Sequence, residues 1–194
     1  PKAFFLENVK GLAIHDKGRT LHTILEHLDN AGYDVVSPEV LNAMDYGVPQ
    51  HRERIYIVGF RRDLKIDKSK FQYPEPTSRD VRPRFREVME KDEVSVKYYL
   101  SDVYVETLRR HRARHEAAGH GFGYEIIDID GVANAIVVGG MGRERNLIID
   151  NRLTDFNPVT NIHGEVNREG IRRMTPREWA RLQGFPDSFK IVVS

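Results

Sequence analysis

The chain has 194 residues, 40% of them hydrophobic and 30% charged, with a formal net charge of +1. That length admits one sizeable domain or two small ones, and the balance is ordinary for a globular chain with a buried core. The absence of cysteine excludes a disulfide scaffold and any cysteine-based metal site or nucleophile within this chain. No apolar run approaches the length of a membrane span, so no membrane partner is expected. A charge near zero is no nucleic-acid signal by itself, because phosphate contacts need only a local positive face.

In chain order, Ala3-Phe4-Phe5-Leu6 is a continuous apolar run, the pattern of a strand buried on both faces. Only Pro1 and Lys2 precede it, so no signal-peptide pattern is present and the abrupt apolar start suggests a fragment. The run ends at Glu7-Asn8-Val9 and is broken by Lys10-Gly11. An amphipathic helix follows from about Gly18 to Asn30, with Leu21, Ile24, Leu25 and Leu28 at helical spacing and Gly32 near its end. Tyr33 to Val36 reads as a strand, Leu41 to Pro49 as irregular with a turn at Gly47 and Pro49, and Arg54 to Phe60 as a strong strand. This order belongs to an α/β layer with a largely parallel sheet, too short to close a doubly wound domain.

From about Lys65 the texture changes, and Tyr73-Pro74-Glu75-Pro76-Thr77-Ser78 has the composition of a linker. Ser101 caps a charged helix reaching Ala118, and Gly123 to Ile149 reads as β-rich, interrupted by Gly139-Gly140 and Gly142. Thr175-Pro176-Arg177-Glu178 combines an N-cap, a proline at the first helical position and a capping-box glutamate. That helix continues through Trp179, Leu182 and Gln183 to Gly184.

Three segments carry candidate chemistry. Glu7-Asn8-Val9 stands at the carboxyl end of a strand, where open α/β sheets place their ligand sites. Apolar surroundings there would disfavour the charged carboxylate and let it donate a proton; the ordinary alternative is a solvated glutamate. Gln50-His51-Arg52-Glu53-Arg54 sets two arginines on one side of an extended segment, each a planar fork for a carbonyl, phosphate or carboxylate. Its ordinary alternative is a charged strand edge. Arg172 to Asp187 has a capped helix as scaffold and is by far the most specific string. His111 and His115, at helical i and i+4, invite a metal reading, but Arg112 stands where the zinc-protease pattern needs glutamate and the arginines around repel a cation. No metal is expected.

Together, in this order and with a long insertion between the second and third, these segments resemble the C-terminal motifs of the cytosine-5 DNA methyltransferase family. The Glu-Asn-Val motif matches Glu7, Asn8 and Val9, and the Gln-x-Arg-x-Arg motif matches Gln50, Arg52 and Arg54. The Arg-x-x-Thr-Pro-Arg-Glu-x-x-Arg-Leu-Gln-Gly-Phe-Pro motif matches Arg172 to Pro186 almost residue for residue. The Pro-Cys nucleophile motif and the glycine-rich loop that binds S-adenosylmethionine are expected upstream of Glu7, and a closing Gly-Asn motif beyond Phe189. None is in this chain.

The resemblance implies the second half of a Rossmann-like methyltransferase sheet in residues 1–72, a smaller, β-rich target recognition domain in 73–171, and a motif helix in 172–194 leading back to the catalytic domain. Glu7 would hold a flipped cytosine at its N3 and N4 edge, Arg54 would bond its O2, and Arg52 would assist; Asn8 and Gln50 would position. Arg143, Arg145 and Asn146, in a loop whose glycines let the backbone approach a groove, and Arg173 are the expected DNA contacts, the ordinary alternative for the loop being a solvated hairpin. The implied cofactor is S-adenosyl-L-methionine, bound mainly by residues outside this chain. The implied partners are double-stranded DNA and an N-terminal half supplied by the same gene or a separate subunit. The expected setting is a prokaryotic restriction–modification system in the cytoplasm, with this chain alone inactive. A related tRNA methyltransferase and a non-catalytic DNA-binding module are the alternatives.

Overall fold

The computed structural model describes residues 1–78, 81–121, 123–137, 142–159 and 161–192. Contacts divide the chain into two units, the first comprising Pro1–Tyr46 and Arg52–Val81, the second Gly47–His51 and Arg82–Ser194. The stretch expected to be a linker is bonded into the first unit: Tyr73 donates its hydroxyl to the Tyr56 carbonyl at 3.1 Å, and the Thr77 amide donates to the Asp45 carbonyl at 2.8 Å.

The first unit is built around β5 (Glu53–Arg61). On one edge it pairs with β1 (Ala3–Val9), in a register that sets Glu7 opposite Tyr56 and Val9 opposite Arg54. On the other edge β2 (Tyr33–Val35) takes one end of β5 and β3 (Glu39–Asn42) takes the other. All these pairings are antiparallel, which corrects the expected largely parallel sheet. The apolar pattern of Ile55, Ile57 and Val58 marks a buried strand but carries no direction. Because β1 and β2 both oppose β5, they run the same way, joined by α1 (Arg19–Asn30). Gly18, at φ 85°, caps the start of α1, and Gly32, also at φ 85°, turns the chain out of it. Gly59 is required by a close approach: the Phe4 ring lies across it from the paired position of β1, 2.4 Å from where a Cβ would stand.

β1 is not buried on both faces. Phe5 is 63% exposed, Leu6 41% and Val9 55%. Among the described residues β1 pairs on one edge only, and its apolar side chains find too little of this chain to cover them. The stripe of α1 is likewise half covered, with Leu21, Ile24, Leu25 and Leu28 all at intermediate burial.

The second unit holds α2 (Asp102–Ala117), α3 (Pro176–Leu182) and strands of two residues each: β4 (Gln50–His51) with β6 (Ala133–Asn134), and β7 (Ile148–Ile149) with β8 (Ile171–Arg172). The expected β-rich texture is absent among the described residues. Buried amide side chains do the work of a ladder instead. Asn167 donates to the carbonyls of Leu100 and Ile171 at 2.7 and 2.9 Å and accepts from the Ile171 amide at 2.9 Å. Backbone groups tied this way need no continuous strand. Phe85, Val88, Ile127, Ile148, Met174 and Leu182 form one apolar cluster, so the capped C-terminal helix is part of this core.

Candidate active site

Alternation along the paired strands puts Phe5, Glu7 and Val9 on the same face as Arg54, Tyr56 and Val58. One Glu7 oxygen, Oε1, lies 3.2 Å from Arg52 Nη2 and 3.2 Å from Arg54 Nε. Arg54 also donates from Nη1 to the Glu53 carbonyl at 2.8 Å, which fixes the plane of its fork. Arg52 is held through its backbone, whose amide donates to Asn42 Oδ1 at 3.0 Å. Tyr56 sits beside the cluster, its ring 5.1 Å from that of Phe5. Burial pushes the Tyr56 phenol up and Glu7 adds to this, while Arg52 and Arg54 oppose it.

The side chains of Glu7, Arg52 and Arg54 are 42%, 28% and 19% exposed. The apolar pocket expected around Glu7 is therefore replaced by two guanidiniums and solvent. Two cations on one carboxylate leave the cluster net positive. Glu7 Oε2 and Arg54 Nη2 have no hydrogen-bond partner among the described residues. An acceptor and a forked donor, held side by side and open to solvent, fit a planar ligand that offers an N–H and a carbonyl along one edge. Asn8 projects from the opposite face and accepts from the Val9 amide at 2.8 Å, securing the strand end.

The other expected residues lie in the second unit. Gln50, 1% exposed, donates to the Leu182 carbonyl at 2.8 Å and accepts from the Ile136 amide at 3.1 Å. It ties β4 to α3 and to the segment after β6. Arg145 is paired with Glu125 at 3.0 Å. Arg173 holds buried Glu144 at 3.0 Å and lies over the Tyr104 ring. Asn146 is fully buried; it accepts from the Asn134 amide at 2.8 Å and donates back to the Asn134 carbonyl at 3.3 Å. That reciprocal pair ties residue 146 to residue 134. Gly139, Gly140 and Met141, and the side chain of Arg143, lie outside the described residues.

Sequence reading missed the buried network around Arg172, which is 0% exposed. Its guanidinium donates to Glu178 Oε2 and Oε1 at 2.7 and 2.8 Å and to Asp150 Oδ2 at 2.8 Å. Glu178 in turn accepts from the Thr175 amide at 2.8 Å, completing the capping box. The capping string was the available signal, since a carboxylate six residues after an arginine, brought back by a cap, faces it.

The family model described as C-5 cytosine-specific DNA methylase matches residues 1–194. The chain belongs to that family. It is 65% identical over 195 residues to the type II methyltransferase M.HpaII of Haemophilus parainfluenzae, an alignment covering 100% of this chain and 53% of that protein. To the type II methyltransferase M.NlaX of Neisseria lactamica it is 41% identical over 196 residues, covering 100% and 55%. The chain thus spans about half the length of these curated relatives. Among solved structures, the Entamoeba histolytica methyltransferase EhMeth matches with a TM-score of 0.65 at 15% identity, covering 98% of this chain and 52% of that one. A Spodoptera frugiperda DNMT2 mutant matches with a TM-score of 0.65 at 16% identity, covering 98% and 58%. At such identity the likeness is one of fold, the α/β methyltransferase fold. No described helix of this methylase chain is long and apolar enough to cross a membrane.

Proposed function

We propose that this chain supplies the base-holding and sequence-reading part of a DNA (cytosine-5-)-methyltransferase of a bacterial restriction–modification system. The observation that carries the reading is the convergence of Glu7 and Arg54 on one open face, within a chain of the cytosine-5 methylase family. A cytosine offers an N4 amino donor, an N3 acceptor and an O2 acceptor along one edge. Glu7 Oε2 accepts from N4, and a proton taken up from solvent as the base docks is shared between the carboxyl and N3, drawing electron density from the ring. Arg54 Nη2 donates to O2 and stabilises charge that develops there, while Arg52 keeps the carboxylate aimed. The base reaches these groups only after leaving the duplex, because its edge and face are otherwise paired and stacked.

S-adenosyl-L-methionine supplies an electrophilic methyl group when bound. The Glu7 cluster does not fit it, since two guanidiniums beside the one carboxylate would repel a sulfonium. The donor site and the thiolate nucleophile belong to polypeptide outside this chain, which has no cysteine. That polypeptide seats on the unpaired edge of β1, over exposed Phe5, Leu6 and Val9, and Asn8 positions its nucleophile-bearing segment. Residues 82–171 act as the target recognition domain, with Arg143, Arg145 and, beyond that range, Arg173 as the contacts to duplex DNA and Gln50 as support.

The test is transfer of labelled methyl from S-adenosylmethionine by the complete protein. Duplex DNA is the expected acceptor, and Glu7→Gln lowers the rate by about 100-fold or more. Labelling confined to tRNA would remove DNA from the reading, and a Glu7→Gln rate within a few-fold of the parent would remove Glu7. The present chain alone is expected to transfer nothing.

A further inference from the structure

Most arginines of the second unit are matched to carboxylates: Arg109 to Glu169, Arg112 to Glu116, Arg145 to Glu125 and Arg152 to Asp150. α2 carries two that are not. Arg110 makes only a 3.5 Å hydrogen bond from Nη2 to Thr107 Oγ1, and Arg114 makes no side-chain hydrogen bond or ion pair among the described residues. At 3.6 residues per turn, positions 103, 107, 110 and 114 share one stripe. All four are exposed, on the side away from buried Val105 and Leu108.

The stripe leads into a cavity. Val103 and Thr107 line a space of about 500 Å³ together with Lys97, Tyr104 and Arg173, and no carboxylate is among the lining residues. Arg173 Nε is buried there without a partner among the described residues, although Nη2 of the same side chain holds Glu144. Cations therefore mark both ends of a path that spans roughly 16 Å along the helix axis at 1.5 Å per residue. Of the acids on the helix, Glu106 lies 4.0 Å from Arg109, which is itself bonded to Glu169, Glu116 is bonded to Arg112, and Asp102 accepts from the Val103 amide. None of them cancels the stripe.

We propose that this face of α2 docks on the sugar–phosphate backbone of the duplex, with Arg110 and Arg114 each neutralising a phosphate. The proposal rests on the reading of this protein as a DNA methyltransferase. Charge complementarity selects the occupant: unpaired guanidinium forks and a hydroxyl in a row match phosphates spaced along a strand. A protein partner would need an apolar anchor at the centre of the patch, and Val103 is the single aliphatic residue of the stripe. Backbone contacts of this kind add affinity and register without reading sequence.

The experiment is duplex binding by the complete methyltransferase, followed by fluorescence anisotropy across a salt series. The pair Arg110→Gln with Arg114→Gln is expected to reduce the slope of log affinity against log salt by about 1.8, at about 0.9 per phosphate, on cognate and unrelated duplexes alike. The pair Arg110→Lys with Arg114→Lys keeps the parent slope. Each single glutamine substitution removes about half as much, and gives the same reading should the pair melt. An unchanged slope in the glutamine variants overturns the docking face while leaving methyl transfer by the parent intact. Polyglutamate bound more tightly than duplex, and lost in the glutamine pair, assigns the stripe to an acidic protein and overturns it too. A parent protein that binds no duplex at all overturns the DNA reading itself.

Discussion

Glu7 with Arg52 and Arg54, in the first unit, and Arg172 with Glu178 and Asp150, in the second, use the same chemical groups in opposite surroundings. The first cluster is 19–42% exposed, with contacts of 3.2 Å and groups left over. The second is 0–2% exposed, with contacts of 2.7–2.8 Å and every Arg172 nitrogen engaged. Removing charges from water is expensive, so a buried set persists only when fully paired, and breaking it leaves an uncompensated charge inside. An exposed set is worth little to stability and stays free to exchange its partner for a ligand. Arginine–carboxylate pairing alone thus does not mark a binding site; what sets the first cluster apart is that it keeps unpaired groups at a surface.

The difference breaks first if Arg172 is removed. Arg172→Ala leaves buried Glu178 without a cation and Asp150 with Arg152 alone, and is expected to cost about 3–5 kcal/mol of stability. For a chain of this size that lowers the melting temperature by on the order of 10 °C, measured by calorimetry. A loss below about 1 kcal/mol would mean that the buried set is as dispensable as a surface pair.

Arg54→Ala should do the reverse. Methyl transfer by the complete protein is expected to fall on the order of 100-fold, equivalent to about 2.7 kcal/mol of barrier, with the melting temperature nearly unchanged. If both quantities fell together, Arg54 would belong with Arg172 as a structural residue.

Acid separates the clusters more finely. Burial alone would raise the Asp150 carboxyl, but hydrogen bonds from Arg152 and Arg172 outweigh it and hold the group down at about 2, against 3.8 for the free side chain. A lowered carboxylate stabilises the fold above its unfolded value and loses that contribution as pH falls through its folded value. The loss therefore runs from about pH 4 to about pH 2 and amounts to about 2 kcal/mol. Denaturant titrations over that range should show the step in the parent, and Asp150→Asn should flatten it.

Much of this was legible from residues alone. Helix α2 begins at Ser101, whose Oγ accepts from the Tyr104 amide at 3.2 Å, and α3 begins at Thr175 with its capping box, both as the local chemistry demands. The meeting of Glu7 with Arg54 followed from the motif resemblance. Strand direction was not legible, because the pattern of Ile55, Ile57 and Val58 is the same whichever way the neighbours run. β3 was hidden as well, since Glu39, Val40, Leu41 and Asn42 are partly exposed and lack a buried run. The burial of Asn146 was not legible, because a polar residue in a glycine-rich loop looks solvent-facing, whereas here it substitutes for a strand ladder by bonding Asn134. Side-chain bonds to distant backbone leave no periodicity to read.

Arg145 lies between the two extremes and sharpens the distinction with the smallest effect. Its 3.0 Å pair with Glu125 has side chains 47% and 38% exposed, and Glu125 is also claimed by Asn134 Nδ2 at 2.7 Å. Solvent screens such a pair, and ordering two long side chains offsets most of its attraction. Arg145→Gln is therefore expected to change stability by less than about 0.5 kcal/mol in a denaturant titration. A loss of several kcal/mol would put Arg145 with Arg172, as part of the frame. A small loss is what the proposed role of Arg145 at duplex DNA requires, with Glu125 as its partner in the free chain. In that case Glu125→Gln, which releases Arg145, should strengthen duplex binding at low salt slightly, and Arg145→Gln should weaken it.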